Sequence, residues 1–95
     1  MSHNSWDDLK AERGDAPDAQ AGYEEARRAY EVAREVRRQR EAAGLTQRQL
    51  ADRAGMTQSV IARLEAGGTE PTLATLDRVA RALGLELTIA FQRVA

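Results

Sequence analysis

The sequence predicts a mainly α-helical domain of four to five helices, with a long first helix and a C-terminal β-strand that pairs across a dimer. Three observations carry that expectation. Apolar residues recur at helical spacing through most of the chain, glycines punctuate that pattern at Gly44, Gly55, Gly67-Gly68 and Gly84, and only the last segment changes to a period of two. Ninety-five residues allow one small domain with an arm, which weighs against a multi-domain enzyme with a deep cleft.

Residues 1–22 mix Gly14, Pro17, Gly22, Ser, Asn and Asp with only two bulky apolar residues, Trp6 and Leu9, so they read as an acidic flexible arm. Residues 23–43, YEEARRAYEVAREVRRQREAA, hold no Gly or Pro and are dense in Ala, Glu and Arg, the strong helix formers. They predict the long first helix. At about 100° per residue, Ala29, Val32, Val36 and Ala43 share one arc with Arg40 on its rim, while Tyr23, Ala26, Tyr30 and Ala33 form a second stripe. That stripe packs on the arm or core, or serves a partner.

Thr46 and Gln49 have the S/T-x-x-E/Q spacing of a capping box, and Leu50, Ala51 and Ala54 give the following short helix its apolar side. Thr57 caps the next helix, which Gly67-Gly68 stops. Pro71 and Thr72 open a fourth, with Leu73, Leu76, Val79, Ala80 and Leu83 on one arc. Residues 85–95 are read as a dimerisation strand, because Leu85, Leu87, Ile89 and Phe91 alternate with Glu86, Thr88, Ala90 and Gln92. A lone strand cannot satisfy its own backbone, and the economical partner is its own copy across a two-fold axis. The alternative is a tail laid on the core.

The motif over residues 47–66, QRQLADRAGMTQSVIARLEA, joins two short helices through a turn centred on Gly55, as a helix-turn-helix requires. Ala51 is small where the second helix crosses, and Ile61 and Leu64 lock that helix onto the first. Val60 falls with them on the apolar side, opposite Gln58, Ser59, Ala62 and Arg63. The outward set suits base edges: Gln pairs with adenine, Arg with guanine, Ser with either, and Ala meets a thymine methyl. Gln47 and Thr57 sit at helix N-termini, where backbone amides favour phosphate.

These residues resemble the Xre/Cro-repressor type of helix-turn-helix, through LTQRQLADRAG, MTQSVIARLEAG and TEPTLATLDRVARALGLEL. The resemblance implies an Xre-type domain over residues 36–84. It also implies phosphate contact by Gln47, base reading by Gln58, Ser59 and Arg63, and a pair between Arg40 and Glu65 whose Arg also reaches phosphate. The whole chain is similar to the short HigA-like antitoxins paired with RelE/HigB-like or ParE-type toxins, which share its DLKAER opening, Tyr-bearing first helix and LGLEL strand. That likeness implies an antitoxin that neutralises such a toxin and represses its own operon as a homodimer on double-stranded operator DNA.

Charge bears on the partners independently. The formal net charge is −1, yet the first 25 residues set seven acids against Lys10 and Arg13, a net of −5, and the remainder is +4. Acid on the arm repels DNA and complements a cationic toxin, with Trp6, Leu9, Tyr23 and Tyr30 as the candidate contacts. A free-standing Xre-family repressor without a toxin is the alternative, and a helix-turn-helix used purely for protein contact is a third reading.

Catalysis is the least expected function. The chain has no Cys and a single His, His3, and shows neither a Gly-rich phosphate loop nor a carboxylate pair in an apolar setting. No metal, cofactor or small-molecule ligand is expected. No stretch approaches the roughly 20 apolar residues of a membrane span, and MSHNSWDD has no secretory pattern, so a cytoplasmic protein without membrane contact is expected.

Overall fold

A computed structural model describes residues 16–68 and 70–94. Among them are four helices: α1 (Ala16–Ala42), α2 (Gln47–Ala54), α3 (Gln58–Ala66) and α4 (Leu73–Ala82). α2 packs on α3, α1 packs on α3, and α4 packs on α2. The core at their meeting point comprises Val36, Leu45, Leu50, Ala51, Ile61, Leu64 and Val79. Leu50 and Ile61 are fully enclosed, each worth about 1.5–3 kcal/mol of burial.

α1 begins at Ala16, so seven residues assigned above to the arm are helical. Pro17 is tolerated because the first turn of a helix has no use for its missing N–H. Gly22 costs about 1 kcal/mol relative to Ala, which an Ala- and Glu-rich neighbourhood absorbs. The remaining arm residues, Trp6 and Leu9 included, lie outside the described residues.

The apolar arc of α1 is also rotated from the expectation. Ala29, Ala33 and Val36 are buried and Val32 half-buried, whereas Ala43 lies past the helix end and is exposed. Ala33 therefore belongs to the core and not to the Tyr23–Tyr30 stripe, whose two rings are exposed. The close fit has a backbone cause. Gly67 ends α3 at φ 76° and comes so near α1 that a Cβ there would lie 3.5 Å from the Tyr30 Cα and 3.6 Å from the Ala33 Cβ. Small residues on α1 admit that approach.

The short helices are closed by the chemistry read from the sequence. Thr46 accepts from the Gln49 amide while Gln49 Oε1 accepts from the Thr46 amide, a complete capping box. Thr57 accepts from the Val60 amide, and Thr72 from the Thr75 amide. Along α4, Val79 is buried and Leu76, Ala80 and Leu83 are half-buried, but Leu73, in the first turn, is 61% exposed.

The expected C-terminal strand is not formed: residues 85–94 are neither helix nor strand. A strand exists by its ladder, and no second extended segment of this chain lies beside this one among the described residues. Pairing across a dimer is likewise not part of the described structure. The alternative, a tail laid on the core, stops at Leu87: Leu87 is half-buried between exposed Glu86 and Thr88, while Ile89 is 63% and Phe91 fully exposed. No helix among the described residues is long and apolar enough to cross a membrane.

Candidate nucleic-acid interface

The site is built on the N-terminal ends of α2 and α3. Thr57 holds the extended conformation of a cap, which turns α3 sharply out of the loop and leaves the Gln58 and Ser59 amides without intrahelical acceptors. Gln58, Ser59 and Arg63 are exposed and Ala62 is half-buried, while Ile61 and Leu64 on the opposite side are buried. The outward row expected from the sequence thus lies on one open face of α3. Val60 departs from expectation: it is 37% exposed, beside a shallow groove it shares with Arg63, Pro71 and Thr75.

Gln47, at the start of α2, is half-buried and its amide is committed at both ends. Its Nε2 donates to Glu65 Oε1 at 3.1 Å, and its Oε1 accepts from Gln58 Nε2 at 3.5 Å. The side chain that opens α2 is therefore coupled to the side chain that opens α3.

Behind this row stands the Arg40–Glu65 pair. Arg40 Nε donates to Glu65 Oε2 at 2.6 Å and Nη2 to Oε1 at 3.0 Å, a two-pronged contact, and Nη1 donates to the Leu45 carbonyl at 2.8 Å. The side chains are 11% and 4% exposed. Burial pushes the Glu65 carboxyl up, but hydrogen bonds from Arg40 and Gln47 and the charges of Arg40 and Arg37 outweigh it, and the group ends below its ordinary value. The bond to Glu65 raises Arg40. All three guanidinium nitrogens donate to protein acceptors, so this geometry uses Arg40 to tie α1 to α3.

One residue of this framework was not foreseen. Arg78 on α4 donates through Nη2 to the carbonyls of Ala54 at 3.0 Å and Gly55 at 2.8 Å, reaching the orphan acceptors at the end of α2. Gly55 holds the left-handed φ of 70°, and a Cβ there would sit 3.1 Å from that guanidinium, close enough to displace it by a few tenths of an ångström. The contact spans 23 or 24 residues, so no local pattern announces it. No cluster of His, Cys, Asp or Glu suited to a metal occurs among the described residues.

Two short helices joined by a tight turn, the second exposing a polar row at its N-terminal end, define a helix-turn-helix. Residues 36–89 match the family described as Helix-turn-helix, and the chain belongs to that family. Over 59 residues it is 46% identical to the uncharacterized HTH-type transcriptional regulator y4dL of Sinorhizobium fredii (strain NBRC 101917 / NGR234), a match covering 62% of this chain and 30% of that one. An uncharacterized HTH-type transcriptional regulator of Methanothermobacter thermautotrophicus is 47% identical over 51 residues, 54% of this chain and 74% of its own length. The chain thus spans under a third of the first relative and about three-quarters of the second. No solved structure matches.

Proposed function

We propose that this chain is a sequence-specific regulator of transcription that inserts α3 into the major groove of double-stranded DNA. The observation that carries this reading is the exposed Gln58–Ser59–Arg63 row on a helix whose other face is anchored by Ile61 and Leu64. Gln58 and Arg63 read base edges, and Ala62 and Ser59 add a methyl contact and a hydroxyl. Thr57, the free amides of the α3 N-terminus and the second Nε2–H of Gln47, the one not given to Glu65, hold phosphate. Two copies, joined through Leu85, Leu87, Ile89 and Phe91, address half-sites one helical turn apart, roughly 10 base pairs.

The test is a binding titration on a selected operator and on scrambled duplexes. Gln58→Ala and Arg63→Ala are each expected to weaken operator binding by about 1–3 kcal/mol and to relax preference at separate base pairs. Equal loss on every duplex overturns base reading.

A second reading is favoured by one feature of the sequence, the seven acidic residues gathered in the first 25. It makes the chain the antitoxin of a RelE/HigB-like toxin, repressing its own operon, with Tyr23 and Tyr30 exposed on α1 as part of the contact. Co-expression with the adjacent reading frame distinguishes it from a free-standing repressor. A small basic protein that is toxic alone and co-purifies with this chain, more weakly as salt rises, supports the antitoxin. A harmless neighbour that does not co-purify leaves the repressor.

A further inference from the structure

The core is open along one side, between α1 and α4. A groove of about 280 Å³ lies there, walled by Val32, Val36, Leu76 and Leu83, with residues 85–88 of the C-terminal segment along its edge. It is an open groove at the lower end of the roughly 300–1,000 Å³ of small-molecule sites, and residues 85–88 of the chain itself already line it. That segment continues, uncovered, into Ile89 and Phe91.

We infer that a second copy covers this groove through one particular register: the C-terminal segments pair antiparallel about a two-fold axis at Thr88, and the partner's Ile89 and Phe91 close the groove beside Leu87 and Leu85. This rests on the dimeric reading above and adds where the axis lies. Residues directly opposite in an antiparallel pair project to the same face, so the register must match odd positions with odd. An axis at Thr88 sets Leu85 against Phe91 and Leu87 against Ile89, opposing all four apolar residues to apolar residues and Glu86 to Ala90. An axis at Leu87 puts Phe91 opposite Leu83, which caps α4 and cannot join a strand. An axis at Ile89 sets Leu85 against Arg93, and one at Glu86 sets two carboxylates face to face. Leu87 is half-buried at the groove between exposed Glu86 and Thr88, so the face that Leu87 shares with its cross-strand neighbour, the partner's Ile89, is the one turned toward it. The two Phe91 rings, now fully exposed, together remove on the order of 300–500 Å² from water.

The chain has no cysteine, so single-cysteine variants report the axis cleanly. Side chains directly opposite lie roughly 4.5–5.5 Å apart and diagonal ones 7–8 Å, and a disulfide forms only across the shorter span. Thr88→Cys is expected to oxidise to a covalent dimer about tenfold faster than Leu87→Cys or Ile89→Cys. A mixture of Leu85→Cys and Phe91→Cys chains should cross-link, and neither alone. Faster cross-linking of Leu87→Cys or Ile89→Cys overturns the register while leaving the dimer. A dimer by sedimentation that none of these cysteines cross-links places the interface elsewhere. A monomer by sedimentation removes the dimer itself. Ala80→Phe, which fills the groove from within, should weaken dimerisation about tenfold at unchanged helical content, as should Phe91→Ala. If both leave dimerisation unchanged, Phe91 is not seated in the groove.

Discussion

The helix-turn-helix body and the C-terminal segment are both patterned by apolar residues, yet one is closed and the other open. In α2 and α3 the apolar positions recur at helical spacing, so each helix satisfies its backbone alone and needs only a neighbour for one face. Leu50 and Ile61 find that neighbour within the chain and are fully buried. In residues 85–94 the period is two, and both the apolar face and the backbone need a partner. Ile89 and Phe91 remain in water. Helical periodicity can be satisfied within one short chain, whereas a solitary period of two finds no ladder among the described residues.

Substitutions sort along this contrast. The largest loss is expected at Glu65→Ala, about 3–5 kcal/mol in chemical denaturation, because it strands Arg40 in a half-buried site. A loss below 1 kcal/mol would mean the body is held by apolar packing alone. The same carboxyl sets an acid limit. Its folded pKa lies below the ordinary value of 4.5, so its contribution is complete above that pH and drains as pH falls through the folded value. Glu65→Gln should flatten the stability curve below about pH 4.5. Ile61→Ala is expected to cost about 2–5 kcal/mol. Gly55→Ala follows at about 1–2 kcal/mol for its positive φ, with part of any further cost relieved when Arg78→Ala removes the guanidinium it would meet. Thr57→Ala should cost about 1 kcal/mol through the lost cap. Smallest of all, Phe91→Asp should change the unfolding of a dilute monomer by no more than about 0.5 kcal/mol. A larger effect would show that the segment belongs to the body after all.

The same contrast explains what the sequence made legible. Capping at Thr46, Thr57 and Thr72, the Gly55 turn and the Gln58–Ser59–Arg63 row depend on residues within one or two helical turns, and all three could be read. The Arg40–Glu65 pair is 25 residues apart and came from family resemblance, not from spacing. Arg78 at Ala54 and Gly55 was invisible, since nothing local distinguishes it from the exposed Arg81 one turn on. The exposure of Val60 and Leu73 and the burial of Ala33 were misread for one reason. Each depends on where a neighbouring helix begins or how closely it passes, and a wheel drawn for one helix holds no neighbours.

The contact at Gly67 makes α1 a lever. The helix spans 27 residues, about 40 Å of stiff rod, pressed at Ala29 and Ala33 against the end of α3 and pinned to Glu65 through Arg40 nearer its own end. Tyr23 stands beyond that fulcrum with its ring exposed. A load applied at Tyr23 would reach α3, the helix that carries Gln58 and Arg63, by way of these two contacts.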